Sequence, residues 1–220
     1  METALVSLIA YGVFGLTGGL ASAIVLAMYD GANSLSPGQF QADGAGYIVA
    51  CPLTVAVLWY AVQMIRRDFT QYLALNWPSS SELLRALVIT MILLSVAVLA
   101  ISFVGATEIS PNPYASAQWG LLTFLIGGCI AVPVAEEFVV RGFMFRGWSE
   151  SFLGPVGSIV LTSIMWALIH TQYDWFGRSW IFVLGVVLGY LRWRSNSTWL
   201  AVIVHSANNI FFYFAVGLYP

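Results

Sequence analysis

Long, unbroken apolar runs limit what this chain can fold into more than any other feature of its sequence. A helix needs about 20 mostly apolar residues to cross the hydrocarbon core of a bilayer. The candidate runs are Ala4–Tyr29, Tyr47–Ile65, Ala86–Val104, Trp119–Trp148, Pro155–Tyr173, Trp180–Trp193 and Thr198–Gly217. Apolar and polar residues do not alternate as they would in a membrane β-barrel. The pattern therefore predicts an all-α fold, a polytopic transmembrane bundle of about seven spanning helices.

The composition agrees with this class and excludes others. Hydrophobic residues make up 60% of the 220 positions and charged residues only 8%, whereas an average soluble domain has about 25% charged residues. A nucleic-acid-binding protein needs an exposed basic face, and eight arginines with no lysine do not supply one. We predict a single membrane domain over residues 1–220 that has the lipid bilayer as a partner and binds no nucleic acid.

The arginines predict how the chain lies in the membrane. Cytoplasmic loops of membrane proteins are enriched in Lys and Arg. With seven spans, six of the eight arginines fall on one side: Arg66, Arg67, Arg85, Arg146, Arg192 and Arg194. Arg178 alone falls in an opposite loop. This distribution predicts that the N-terminus lies inside.

Polar and charged side chains interrupt three of the apolar runs. Such residues are costly within a bilayer, and each is by default a candidate for function. The candidates lie in the fourth, fifth and seventh runs: Glu136, Glu137, Arg141, His170, His205 and Asn209. The two histidines are the only ones in the protein. We predict that these residues converge on one site.

Helical spacing assigns different roles to the two adjacent glutamates. Glu137 and Arg141 are four residues apart, with the acid on the N-terminal side, so they can pair on one helix face. Glu136 projects about 100° away from that face, which leaves it without an obvious partner. His205 and Asn209 are also four residues apart and share a face. A rise of 1.5 Å per residue places Glu136 and Asn209 about 16–18 Å into a core of about 30 Å, so the two residues can meet.

This set of residues suits the hydrolysis of an amide bond inside the membrane. A glutamate can act as a general base for water, and histidines with an asparagine amide can hold that water and stabilise an oxyanion. The sequence lacks the HExxH motif of helical zinc proteases and the GxSxG motif of serine hydrolases, and no apolar run has a central aspartate. A zinc site of Glu136, His170 and His205 remains an alternative.

Three short motifs follow one another in the C-terminal half of the chain. They are Glu-Glu-x-x-x-Arg at position 136, aromatic-x-x-x-His at position 166 and His-x-x-x-Asn at position 205. In this order they resemble the CPBP family of intramembrane glutamic proteases, which includes the type II CAAX prenyl endopeptidases and bacterial relatives linked to bacteriocin self-protection. The resemblance implies a catalytic core over residues 119–214, preceded by N-terminal helices without a motif at residues 1–118.

The resemblance also implies a role for each motif residue. Glu136 would activate the attacking water with the help of His170, while His205 and Asn209 would stabilise the oxyanion. The paired glutamate and arginine would order the site, and the resemblance implies no cofactor and no metal. The second motif usually begins with phenylalanine, but here it begins with Trp166. We expect this change to alter the shape of the pocket rather than to abolish the chemistry.

These observations predict an intramembrane glutamate-dependent endopeptidase in a prokaryotic cytoplasmic membrane. Its substrate would be a membrane-associated protein or peptide, cut near its C-terminus. One rival interpretation is a non-catalytic membrane module, such as an immunity or chaperone factor, that keeps the charged cluster for packing. Another is a transporter with Glu136 in a proton relay, but the sequence shows neither an internal repeat nor a pair of broken helices.

Overall fold

The structure is a computed structural model that describes residues 2–28, 37–104 and 120–216. The described residues form eight helices: α1 (Glu2–Ala27), α2 (Pro37–Met64), α3 (Phe69–Tyr72), α4 (Ser80–Val104), α5 (residues 120–149), α6 (Gly154–Ile169), α7 (Trp175–Ser195) and α8 (Thr198–Phe211). A π-helical turn, Phe212–Val216, continues α8. These residues form no β-strand beyond one isolated bridge, so the predicted all-α fold is confirmed.

Within the part of the chain that the structure describes, four helices are long and apolar enough to cross a membrane. Their spans are Glu2–Ala27, Ala42–Met64, Ser80–Ala100 and Leu121–Ser149. Helix α6 is apolar but shorter, about 24 Å long at 1.5 Å per residue. Large apolar side chains such as Leu16 (78% exposed) and Phe103 (88%) point out of the bundle, as expected of surfaces that contact lipid rather than water. The chain is an integral membrane protein, and the count of seven spans stays a prediction.

Helix α2 begins at Pro37, ten residues before the predicted run that starts at Tyr47. The extra residues include glycines at which neighbouring backbones come close. A Cβ on Gly46 would lie 2.6 Å from the carbonyl oxygen of Gly18 in α1, and a Cβ on Gly44 would lie 2.7 Å from the carbonyl oxygen of Thr123 in α5. Small residues permit such close helix packing. Because they add little hydropathy, the sequence pattern did not reveal this part of the helix.

Helix α5 is the most buried of the four spans. Two π-helical stretches, Gly127–Ala131 and Phe138–Met144, flank the regular turns of Val132–Glu137. Such stretches are rare and frequently occur at functional sites. Every residue from 137 to 145 is buried, so this part of α5 contacts neighbours on all sides. The adjacent glutamates therefore lie on the central helix of the bundle.

The segment between α2 and α4 fixes the start of α8. Leu75 forms an isolated antiparallel bridge with Ser197. The side-chain amide of Asn76 donates to the carbonyl of Asn196 at 2.9 Å, and the Ser197 hydroxyl donates to the carbonyl of Asn76 at 2.6 Å. Ser197 also caps α8 by accepting from the backbone N–H of Leu200. Part of the segment between α2 and α4 is thus extended backbone that holds the N-terminus of α8.

Several contacts place the arginine-rich ends of the helices at one end of the bundle. Gly147, near the C-terminus of α5, packs directly against Thr3 at the start of α1. A Cβ on Gly142 of α5 would lie 2.9 Å from Cγ of Leu73, and Leu73 adjoins the segment that binds the start of α8. The N-terminus of α1, the C-terminus of α5 and the α7–α8 turn therefore share one end.

Candidate active site

Three helices contribute the predicted catalytic side chains to the wall of one cavity. Glu136 comes from the regular turns of α5, His170 caps the C-terminus of α6, and His205 and Asn209 come from α8. All four line a cavity of about 440 Å³. Glu136 is half-buried, while His205 and Asn209 are 4% and 6% exposed. The structure therefore brings together residues that lie far apart in the sequence.

Trp166 contacts more members of this group than the sequence suggested. Its indole Nε1 donates a hydrogen bond to Oε2 of Glu136 at 2.8 Å. The ring centroids of His170 and His205 lie 5.0 and 5.3 Å from the indole, both edge-on, and Cζ of Arg141 lies 4.4 Å from its centroid. Glu136 thus has a partner that spacing within its own helix did not indicate, because the partner lies thirty residues away on α6.

The ring of His170 is oriented by the backbone of its own helix. Its Nδ1 lies 2.7 Å from the carbonyl oxygen of Trp166. Because a carbonyl can only accept, we assign the hydrogen to Nδ1, which leaves Nε2 as an acceptor. Arg178 holds the following loop by donating to the carbonyls of Tyr173 at 2.9 Å and Thr171 at 3.1 Å. His170 thus sits at the base of an ordered loop.

Glu137 is fully buried and forms the predicted pair with Arg141. Its Oε1 accepts from Nη1 of Arg141 at 3.0 Å and also from Nδ1 of His205 at 2.9 Å. Nη2 of Arg141 donates to the carbonyl of Gly185 in α7 at 3.2 Å. Glu137 therefore connects α5 to α8, and Arg141 connects α5 to α7. Because Nδ1 of His205 is used in this way, Nε2 is its ring nitrogen left for a substrate.

Asn209 is held by the first π-helical stretch of α5. Its side-chain nitrogen donates to the carbonyl of Gly128 at 3.1 Å. A carbonyl accepts and does not donate, so this contact fixes which end of the amide is the NH₂ group. The second hydrogen of that group is left to bind another acceptor. The π-helical stretch thus positions an N–H donor in the cavity wall.

The rest of the cavity wall is mostly apolar, and part of it comes from helices without a motif. Phe14 of α1 stacks on Tyr47 of α2 with ring centroids 6.1 Å apart, and both line the cavity. Helix α7 adds Phe176, Trp180 and other apolar side chains. No short motif marks the contributions of α1 and α2, so sequence reasoning missed them.

The alternative prediction is a zinc site formed by Glu136, His170 and His205. Among the described residues, no group of three His, Cys, Asp or Glu side chains is placed to hold a metal ion. Each of the three candidate ligands also has one atom bound to a protein partner: Oε2 of Glu136 to Trp166, Nδ1 of His170 to a backbone carbonyl and Nδ1 of His205 to Glu137. The arrangement suits an organic acid–base site with fixed hydrogen-bond donors.

The similarity of this chain to known proteins agrees with the family that its three motifs resemble. Residues 118–211 match the family described as Type II CAAX prenyl endopeptidase Rce1-like. This segment is similar to an Rce1-like domain. All the predicted site residues lie within it, and the resemblance read from the motifs is confirmed for this part of the chain. Because this family is one of proteases, the match supports the prediction that the protein is a hydrolase.

One curated relative of this chain is bacterial. The UPF0177 protein YxdF of Lactococcus lactis subsp. lactis (strain IL1403) is 27% identical over 82 residues. The aligned part is 37% of this chain and 44% of that protein, so the chain matches less than half of the relative's length. No solved structure matches the chain.

Proposed function

We propose that this protein is an intramembrane endopeptidase whose activity depends on Glu136. The observation that carries the proposal is a half-buried carboxylate in the wall of a cavity inside the bundle, shared with His170, His205 and Asn209. A carboxylate, two imidazoles and an amide supply the base and the donors that amide hydrolysis requires. The similarity of the segment to a protease family supports the same reaction class.

The first step of the proposed reaction is the activation of water. Glu136 takes a proton from a water molecule, and the water oxygen attacks the carbonyl carbon of the scissile peptide bond. His170 assists because its Nδ1 is bound to the carbonyl of Trp166, which leaves Nε2 to accept the second hydrogen of the water. Two acceptors orient the water better than one, which lowers the entropic cost of the attack.

The second step is the stabilisation and breakdown of the tetrahedral intermediate. The free amide hydrogen of Asn209 donates to the oxyanion, and so does Nε2 of His205 when it carries a hydrogen. Glu136 then transfers its proton to the leaving nitrogen while the C–N bond breaks. The products are a new amine and a new C-terminal carboxylic acid, which then loses the remaining proton of the water to solvent. Because their partners hold both donors in place, little reorganisation accompanies the development of charge.

The substrate proposed is a membrane-associated protein or peptide, cut near its C-terminus. The mostly apolar wall of the cavity supports an apolar stretch of chain next to the cleaved bond. We propose that the Rce1-like core spans residues 119–214 and that the helices of residues 1–118 complete the cavity within one membrane domain.

For the topology, we propose that the N-terminus is cytoplasmic and that the membrane is a prokaryotic cytoplasmic membrane. The contacts of Gly147 with Thr3, and of Leu75 with Ser197, support one common end for the arginine-rich segments. That end is cytoplasmic under the positive-inside rule. The bacterial relative supports the prokaryotic assignment.

The proposal is tested by comparing membrane proteomes of cells that express either the wild-type protein or Glu136→Gln. Expression of the wild type should produce new protein C-termini that are missing from the Glu136→Gln cells. Glu150→Gln is a matched control, because Glu150 lies just past α5, is exposed and pairs with Arg146 outside the cavity. Identical C-termini in all cells, at equal protein levels, would favour a non-catalytic module.

A further inference from the structure

Trp166 introduces a hydrogen-bond donor that the usual residue of its motif lacks. In the family that the motifs resemble, this motif usually begins with phenylalanine, whose ring has no N–H group. Here the indole N–H is used, since it lies 2.8 Å from Oε2 of Glu136. The departure from the motif pattern therefore acts directly on the proposed catalytic carboxylate, and not only on the shape of the pocket.

The surroundings of Trp166 hold its indole in one orientation. The side chain is 2% exposed, and the guanidinium of Arg141 lies 4.4 Å above its ring, as in a cation–π interaction. The rings of His170 and His205 meet it edge-on. A rotation of the indole would break these contacts together, so the N–H donor is fixed before any substrate arrives.

We propose that Trp166 is a positioning residue that fixes the carboxylate of the general base. The hydrogen bond holds Oε2 and stops the carboxylate from rotating about its terminal bond, so Oε1 is the oxygen that takes the proton from water. This inference rests on the proposed function. It goes beyond that function by assigning a separate role to each of the two carboxylate oxygens.

The kinetic test is Trp166→Phe, which restores the usual motif residue and removes only the N–H group and part of the ring. The probe is a fluorogenic peptide built around a bond whose cleavage in cells depends on Glu136. A hydrogen bond to a charged group has an effect of roughly 10- to 100-fold on a rate constant, so we expect kcat to fall by that factor with KM within twofold of wild type. Trp199→Phe is the control, because Trp199 packs against Phe138 and does not line the cavity.

A second measurement tests the hydrogen bond without any cleavage. In protein labelled with ¹⁵N-tryptophan, the indole N–H resonance that disappears in Trp166→Phe belongs to Trp166. It should move upfield in Glu136→Ala, because the acceptor is lost. The indole resonance of Trp180 should stay in place, since Trp180 lines the same cavity but its N–H has no partner within the described residues.

These measurements separate the failure of this inference from the failure of the proposed function. A folded Trp166→Phe variant that cleaves at the wild-type rate would overturn the positioning role. An unmoved Trp166 resonance, or an equal shift of the Trp180 resonance, would also overturn it. If Trp166→Phe does not fold, the Trp166 resonance is assigned by elimination from Trp→Phe variants of the other eight tryptophans, and its shift in Glu136→Ala decides the matter. An absence of cleavage by the wild type would refute the proposed function, while the resonance would still report on the hydrogen bond.

Discussion

Nδ1 of His205 lies 2.9 Å from Oε1 of Glu137, although 68 residues separate the two in the chain. The same oxygen accepts from Arg141, so one buried carboxylate orients both a structural cation and a proposed catalytic imidazole. This relationship explains why two adjacent glutamates are present. Glu136 faces the cavity, where we propose that it acts on water, and Glu137 fixes the ring of His205.

We predict that Glu137→Gln lowers both stability and turnover. Glutamine keeps the shape of the side chain but removes the charge that Arg141 and His205 contact, so a buried cation is left without a counterion. We expect a lower unfolding temperature and a decrease in kcat of roughly 10- to 100-fold, because the orientation of His205 is loosened. Thermal unfolding in detergent and peptide cleavage measure these effects. A variant with wild-type values for both would contradict the role given to Glu137.

Arg141→Ala should destabilise the protein far more than Arg146→Ala. Both arginines lie on α5, and each pairs with a glutamate four residues away. The Arg141 pair is buried, and breaking such a pair costs about 3–5 kcal/mol. The Arg146 pair is partly exposed, and such pairs contribute at most about 1 kcal/mol. Equal unfolding temperatures of the two variants would show that the buried pair does not stabilise the bundle.

Asn209→Ala should impair turnover rather than substrate binding. Its amide nitrogen is held against Gly128 and is proposed to donate to the oxyanion. Removal of one such donor lowers kcat by about 10²- to 10³-fold, and KM should change little because the bond is made mainly in the transition state. Ser206→Ala, on the same helix and outside the cavity lining, is the control. A loss confined to KM would instead assign Asn209 to substrate binding.

Chelators should leave the activity unchanged. Among the described residues, no three His, Cys, Asp or Glu side chains are placed to hold a metal ion, and we propose that the carboxylate of Glu136 activates water without a metal. Cleavage of the fluorogenic peptide by protein incubated with a chelator and then dialysed measures this. If the chelator abolishes cleavage and added zinc restores it, Glu136, His170 and His205 form a zinc site and not an acid–base site.

The sequence predicts the fold well because hydropathy alone defines membrane helices. Each long helix among the described residues coincides with one of the predicted apolar runs. The ends of the helices agree less well with the ends of the runs. Helix α2 starts earlier than its run because Gly44 and Gly46 pack through small size rather than hydrophobicity. Helix α7 starts at Trp175, five residues before its run, because Asp174 caps it by accepting from the backbone N–H of Gly177.

The sequence predicts only part of the candidate site. Spacing within one helix anticipated the contact of Glu137 with Arg141, since residues four apart are neighbours. It could not anticipate the bond between Trp166 and Glu136, or that between His205 and Glu137, because both cross between helices. Such contacts depend on how the helices are rotated in the bundle, which no pattern within a single helix specifies.

The most direct test of the account is the turnover of purified protein, reconstituted in lipid, with Glu136 replaced by Gln. Glutamine keeps the size of the side chain and an oxygen that can accept from Trp166, but it cannot take a proton from water. The account predicts that cleavage of the fluorogenic peptide is lost in Glu136→Gln and kept in Glu150→Gln, with both variants folded. Cleavage by Glu136→Gln at the wild-type rate would contradict it.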